Sequence, residues 1–197
     1  DVTVTARTDG AALHVQTDAT GAYTVPLRAG AYDVAVSAFG YAPQPPRSVV
    51  IGDSGRVTLD VSLTLLPVGV IYGRVTDTTG APQGGTVIVE GTPVTATVAA
   101  ATGVYSLALP PGSYRLRVEQ RGFRVGHAAV TLPSVGAAVV QDFSLAAAPT
   151  ILLVDSGAWY YAETNSYYKA ALDARNYLYT VYPVRDTQTS APSLDVL

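Results

Sequence analysis

A stretch of 22 residues occurs twice in this chain, and the repetition sets what the chain can fold into. Residues 20–41 read TGAYTVPLRAGAYDVAVSAFGY and residues 102–123 read TGVYSLALPPGSYRLRVEQRGF. An offset of 82 lays Gly21 on Gly103, Tyr23 on Tyr105, Gly30 on Gly112, Tyr32 on Tyr114 and Gly40 on Gly122. The match runs on without a gap to VTLDVSL (57–63) against VVQDFSL (139–145), which pairs Asp60 with Asp142. Self-similarity at a fixed long period makes each copy one structural unit. The chain therefore reads as two copies of one small β domain.

Within each copy, apolar and polar residues alternate. Tyr23, Val25 and Leu27 share one face, as do Tyr32, Val34 and Val36; in the second copy Tyr105, Leu107 and Leu109 are followed by Tyr114, Leu116 and Val118. Alternation with period two places one face on a core and the other in water. The links RAG (28–30) and PPG (110–112) predict tight hairpins, with Gly30 and Gly112 as structural turn residues in the left-handed αL conformation. Two such hairpins with flanking strands predict a β-sandwich per copy.

The motifs GRVTDTTGAP (73–82), TGVYSLALPPGSYRLRV (102–118) and the closing strand to Leu145 resemble the carboxypeptidase regulatory-like family. That resemblance implies a transthyretin-like (prealbumin-like) Greek-key sandwich, covering 68–147 and, less completely, 1–66. In the family such a module sits as an accessory beside a catalytic or transport domain, and it brings no catalytic residue to carry over.

The two copies differ at one place. VIYGRVTD (70–77) opens the second, and subtracting 82 from these positions runs off the start of the chain. The first copy is expected to lack that strand and to expose a sheet edge, a condition proteins normally avoid. The short Pro-containing link LPVG (66–69) predicts semi-rigid, end-to-end sandwiches. The chain starts at Asp1 inside a strand pattern and reads as a mature or trimmed product.

After AAAP (146–149) the periodicity changes. ILLVD (151–155) suits a parallel strand buried on both faces. SYYKAALDARNY (166–177) reads as a helix, with Thr164 or Asn165 capping its start and Asn176 taking the αL end. Leu178–Val184 is strand-like again, so 149–197 is expected to be a partial α/β (βαβ) unit. It resembles the opening of flavodoxin-like or glutamine-amidotransferase-like domains, which follow β modules in some secreted bacterial proteins, subtilisin-like peptidases among them. The expected class is thus mainly β: two tandem sandwiches plus a partial βαβ unit.

Composition narrows the function. Charged residues are 14%, net charge is −3 and Lys169 is the sole lysine, so nucleic acid is not an expected partner, because phosphate binding needs clustered cations. The absence of cysteine rules out disulfides, thiolate metal sites and cysteine nucleophiles. No apolar run approaches the roughly 20 residues of a membrane span. A Lys–Asn isopeptide bond, which welds some related surface modules, cannot form inside either sandwich, since Lys169, Asn165 and Asn176 all lie beyond them.

Candidate chemistry is sparse. His14 and His127 lie in strand regions of different copies, and no G-x-S-x-G elbow occurs. Asp9, Asp18, Asp53, Asp77 and Asp142 sit at turns, where a carboxylate bonds its own backbone; calcium would need several clustered oxygens. Asp155 ends the ILLVD strand, where open α/β sheets collect ligands. A receiver-type phosphoacceptor site would need a second acid where Ser156 stands. The sequence therefore assigns no catalytic residue, no cofactor and no metal ligand. Aromatic crowding in 159–182 makes Trp159, Tyr160, Tyr161 and Tyr167 the candidate contact surface, for a glycan or a protein.

The expectation is a non-catalytic accessory, spacer or binding module of a larger secreted or cell-surface protein, such as a subtilisin-like peptidase. Its partners would be parent domains or neighbouring copies of the chain. The alternative is a structural subunit whose neighbours complete the open sheet; an enzyme using the α/β unit is the third option.

Overall fold

The computed structural model describes residues 1–53, 55–155 and 165–184. They fall into two units, Asp1–Pro67 and Val68–Leu197.

In the first unit, β1 (Val2–Ala6), β2 (Ala12–Val15), β3 (Gly30–Val36) and β4 (Arg47–Ile51) form an antiparallel sheet in the order β2-β1-β3-β4. The register sets Val2 opposite Val36 and Val4 opposite Val34, so alternation gathers valines on one face. Val2, Val4 and Val34 are buried there. Polar residues hold the sheet together elsewhere. Arg7 Nε donates to both Asp33 carboxylate oxygens at 3.1 and 3.0 Å, and Arg7 Nη2 reaches Ser48 Oγ at 2.9 Å. Arg7 first, then Ser48, holds the Asp33 carboxyl below its ordinary value.

Tyr23–Leu27, whose alternation predicts a strand, and Val57–Leu65, which aligns with the closing strand of the second copy, form no strand apart from an isolated bridge between Tyr41 and Leu65. Tyr23, Val25, Leu27 and Leu59 still pack, half-buried, on the valine face. Their alternation is right, but strand structure also needs a neighbour carrying matching N–H and C=O groups. The second unit shows what that neighbour is.

There, β5 (Gly69–Asp77), β6 (Gly85–Val89), β7 (Thr95–Val98), β8 (Val104–Leu109), β9 (Gly112–Glu119), β10 (Gly126–Leu132), β11 (Ala138–Val140) and β12 (Phe143–Leu145) build two facing sheets. One has the order β10-β9-β6-β7 and corresponds to β4-β3-β1-β2 of the first unit. The other is centred on β5, which pairs antiparallel with β8 along one edge and parallel with β11 and β12 along the other. Buried and half-exposed residues alternate along β5, with Ile71 and Val75 fully inside. Fourteen buried apolar residues join in this core, against three in the first unit, among the described residues.

One sequence expectation is corrected by this topology. The strand without a counterpart in the first unit is central in its sheet, not an edge. Its absence splits the second sheet in two instead of leaving one open border.

Beyond the sandwich, β13 (Ile151–Asp155) pairs in parallel with β14 (Tyr179–Pro183), and α1 (Ser166–Asp173) precedes β14 in sequence. Asn176 takes the left-handed conformation (φ 56°) after the helix, as its short polar side chain allows. Asn165 makes no cap with its side chain, because its amide is turned to the Asp155 carboxylate. Nor is ILLVD buried on both faces: Val154 is half exposed. The pair is tied to the sandwich through Arg124, whose guanidinium lies 4.5 Å over the Tyr177 ring and donates to the Arg175 carbonyl at 3.0 Å. Val125 N–H adds a 2.7 Å bond to the Asn176 carbonyl.

Candidate functional site

Of the candidate aromatic surface, Trp159, Tyr160 and Tyr161 lie outside the described residues. Tyr167 stands on α1 and is 84% exposed, with the similarly open Tyr168 beside it. Other tyrosines of the cluster serve the fold. Tyr177 is held by Arg124, and burial, then Asp173, pushes the Tyr179 hydroxyl above its usual value.

Gly30 and Gly112 do not adopt αL. They are the first residues of β3 and β9, and neither has positive φ; the left-handed glycines of the repeat are Gly21 and Gly103 and, further on, Gly40 and Gly122. The physical reason lies two residues on. In a strand i and i+2 share a face, so Tyr32 and Tyr114 fold back over these glycines. A Cβ on Gly30 would meet the Tyr32 ring at 3.5 Å, and one on Gly112 would meet the Tyr114 hydroxyl at 3.3 Å. The hydroxyls then donate to the carbonyls of Arg28 (2.9 Å) and Pro110 (2.6 Å).

A second tyrosine pair repeats as faithfully. Tyr23 donates to the Leu59 carbonyl at 2.9 Å, and Tyr105 donates to the Gln141 carbonyl at 2.7 Å. In the second unit this bond crosses beside Gly73 of β5. A Cβ on Gly73 would collide with the Gln141 carbonyl oxygen. Asp142, next in sequence, accepts the Arg74 backbone N–H at 2.7 Å.

The first unit has the clamp without the strand. A groove of about 630 Å³ occupies the corresponding place. Val25 and Leu27 line one wall, Leu59 and Asp60 the other, and Val4 and Val34 the floor. Sequence reasoning identified the unpaired strand position but not this groove. The signal was available, since both walls align with strands that flank β5.

Two of the turn carboxylates, Asp18 and Asp77, bond their own turns. Asp18 accepts from the Thr20 N–H (2.8 Å), the Thr20 hydroxyl (2.7 Å) and the Ala22 N–H (3.0 Å). Asp77 does the same with Thr79 and Ala81. Side-chain bonding to Thr20 and Thr79, respectively, leads in lowering both carboxyl pKa values. The histidines are exposed strand residues in separate units: His14 Nδ1 lies 3.1 Å from Thr3 Oγ1, and His127 Nδ1 lies 3.7 Å from Glu90. Among the described residues, no three His, Asp or Glu side chains converge, and no helix is long and apolar enough to cross a membrane.

Among solved structures, the chain is similar to the Bacillus anthracis TIE protein (15% identity, TM-score 0.35, covering 79% of this chain and 32% of that one). It is also similar to a streptococcal ancillary pilin (16% identity, TM-score 0.39, covering 75% and 57%). A third likeness is to a type II cohesin–X-dockerin complex from Acetivibrio cellulolyticus (19% identity, TM-score 0.29, covering 38% and 52%). The chain thus spans about a third of the Bacillus protein and just over half of the pilin. No curated protein matches it. The sequence profile of the carboxypeptidase regulatory-like domain matches residues 1–64 and again residues 70–146. Two matches over most of its length, on one repeated strand plan, make the chain a member of the carboxypeptidase regulatory-like domain family.

Proposed function

We propose that the chain is a non-catalytic accessory module of a larger secreted or cell-surface protein, one that spaces or docks a separate catalytic domain, with a subtilisin-like peptidase as the type of parent. One observation carries the reading: both units spend the same polar groups on the same scaffold bonds. Tyr23 and Tyr105 brace carbonyls of the facing segment, and Tyr32 and Tyr114 brace carbonyls at the preceding turn. A general base must lie within hydrogen-bond reach of the proton it takes. His14 faces a threonine and His127 a glutamate, each on an open strand. These contacts lie on open strands, and among the described residues no third His, Asp or Glu side chain converges on either histidine to orient its ring.

The exposed Tyr167 and Tyr168 supply the candidate contact, since amphipathic rings bind at low entropic cost. The test is to assay the chain against peptide, ester and glycoside substrates. No turnover above buffer is expected. Saturable hydrolysis abolished by His127→Ala would overturn the reading.

A further inference from the structure

The second unit places its first and last strands side by side. The chain enters at the start of β5, leaves at the end of β12, and β11 and β12 both pair with β5 in parallel. We propose that this unit is a tension-resistant link, one that stays folded when the polypeptide on its two sides is pulled apart. A catalytic chain could resist tension in the same way, so this function does not rest on the accessory reading above.

The mechanical consequence follows from strand direction. Tension drawn through the start of β5 and the end of β12 slides two parallel strands along each other. The hydrogen bonds of a parallel pair are evenly spaced along it, so under sliding they take the load together. Strands pulled apart from one common end open bond by bond instead. A single register runs the length of the pair, from Ala138 opposite Val70 to Leu145 opposite Asp77. Sliding would also drag apolar side chains through the core, since Ile71, Val75, Phe143 and Leu145 are all buried there. Force passes straight from one strand to the other, and the sheet β10-β9-β6-β7 lies off its path.

The ladder has one interruption, and a side chain bridges it. Val70 N–H donates to the Ala137 carbonyl and Gln141 N–H to the Tyr72 carbonyl, both at 2.8 Å. Continued in that pattern, the Arg74 N–H would meet the Gln141 carbonyl. That carbonyl accepts the Tyr105 hydroxyl instead, and Asp142 Oδ1 takes the Arg74 N–H at 2.7 Å. Asp142 thus passes load across the gap between β11 and β12. The exit segment is fastened beyond the ladder as well: Ala148 N–H donates to the Gly122 carbonyl and Arg124 N–H to the Ala146 carbonyl, each at 2.9 Å. No covalent cross-link shares this task, because the chain has no cysteine and its one lysine and both asparagines lie outside the sandwich.

The absence of native cysteine lets introduced thiols in the full chain fix where force is applied. Pro67→Cys with Pro149→Cys loads the ladder by sliding. Pro67→Cys with Val135→Cys peels it from the end where Val70 faces Ala138. Rupture forces are read in an optical trap at one loading rate, since forced unfolding reports the unfolding barrier and not equilibrium stability. The sliding pair should break at a force at least about twofold higher, because its evenly spaced bonds share the load. Asp142→Ala should lower the sliding force and leave the peeling force unchanged, since peeling begins at the other end of the ladder. Asp142→Asn keeps an acceptor oxygen and should restore most of the loss. Three results would each overturn the proposal. One is equal rupture force in the two directions, a comparison that decides even where a substitution at Asp142 prevents folding. Another is an equal loss in both directions for Asp142→Ala, which would mark a general loss of stability. The last is a sliding force untouched by Asp142→Ala, which would take Asp142 off the path of the load.

Discussion

The hydroxyl of Tyr114 donates to the carbonyl of Pro110 at 2.6 Å, and the ring that carries it closes over Gly112. Glycine serves there for space, not for backbone freedom: its φ is not positive, and a Cβ would press on the tyrosine. Gly112→Val crowds the hydroxyl, which would lie 3.3 Å from the new Cβ, and should cost the second unit about 1–2 kcal/mol through strain and a weakened hydrogen bond. In a Tyr114→Phe background the same substitution should cost clearly less, because the bond is already gone. Thermal melts of the four proteins of this cycle measure the difference; equal costs in both backgrounds would remove the explanation.

Tyr105 is the better test of the second clamp, since it is buried and Tyr23 is only half so. Tyr105→Phe leaves the Gln141 carbonyl short of a partner and should cost about 1–2 kcal/mol. Tyr23→Phe should cost less, because water reaches Leu59 through the open groove. Alkali probes the same contrast. Burial first, then Asp142, pushes the Tyr105 hydroxyl well above its usual 10.0. A raised folded pKa means that the neutral hydroxyl is favoured by folding. Its stabilisation is complete below pH 10.0 and is lost as pH climbs from there toward the folded value. Denaturant melts across that range should show a steeper alkaline loss in the parent than in Tyr105→Phe.

At low pH the turn carboxylates govern. Asp18 and Asp77 both titrate below 3.8 in the folded chain, led by their bonds to Thr20 and Thr79. A depressed pKa gives stabilisation that is present above 3.8 and disappears as pH falls through the folded values. Both carboxylates are at the surface, so the effect is local. The Ala22 and Ala81 amide resonances should shift together between pH 5 and pH 2, roughly the span over which paired carboxylates protonate. Asp18→Asn should abolish the shift at Ala22 alone.

The strands of the second unit were legible because alternation and turns agreed with a complete set of neighbours. Those around Tyr23–Leu27 and Val57–Leu65 carried the same pattern and still failed as strands, since pairing is set by a partner that local sequence does not encode. The glycine assignment failed for a related reason. RAG and PPG look like turns needing φ > 0, whereas the constraint came from a tyrosine two residues later. Asn176 was readable, because a polar residue ending an apolar helical stripe has few other conformations open to it. Asn165 was not, because its partner Asp155 reaches it from another element. The groove lies in the relation between the two copies: only their alignment shows that both walls are present and the strand between them is missing.

That asymmetry predicts unequal stability within one chain. Three apolar side chains are buried in the core of the first unit and fourteen in that of the second, among the described residues. Full burial of such a side chain contributes about 1.5–3 kcal/mol, so the difference far exceeds what the Arg7–Asp33–Ser48 contacts at the surface can restore. The sheet of the first unit also keeps Tyr23, Val25 and Leu27 only half covered. Native-state hydrogen exchange should therefore find β1 and β3 opening at low free energy, and β5, β6 and β9 exchanging only with global unfolding of their own unit. Denaturant should give two transitions, the earlier one reporting residues 1–67. Substituting Val34→Ala should move only the earlier transition and Leu116→Ala only the later. A single cooperative transition with equal protection in both sheets would show that the first core is closed by contacts other than those within it.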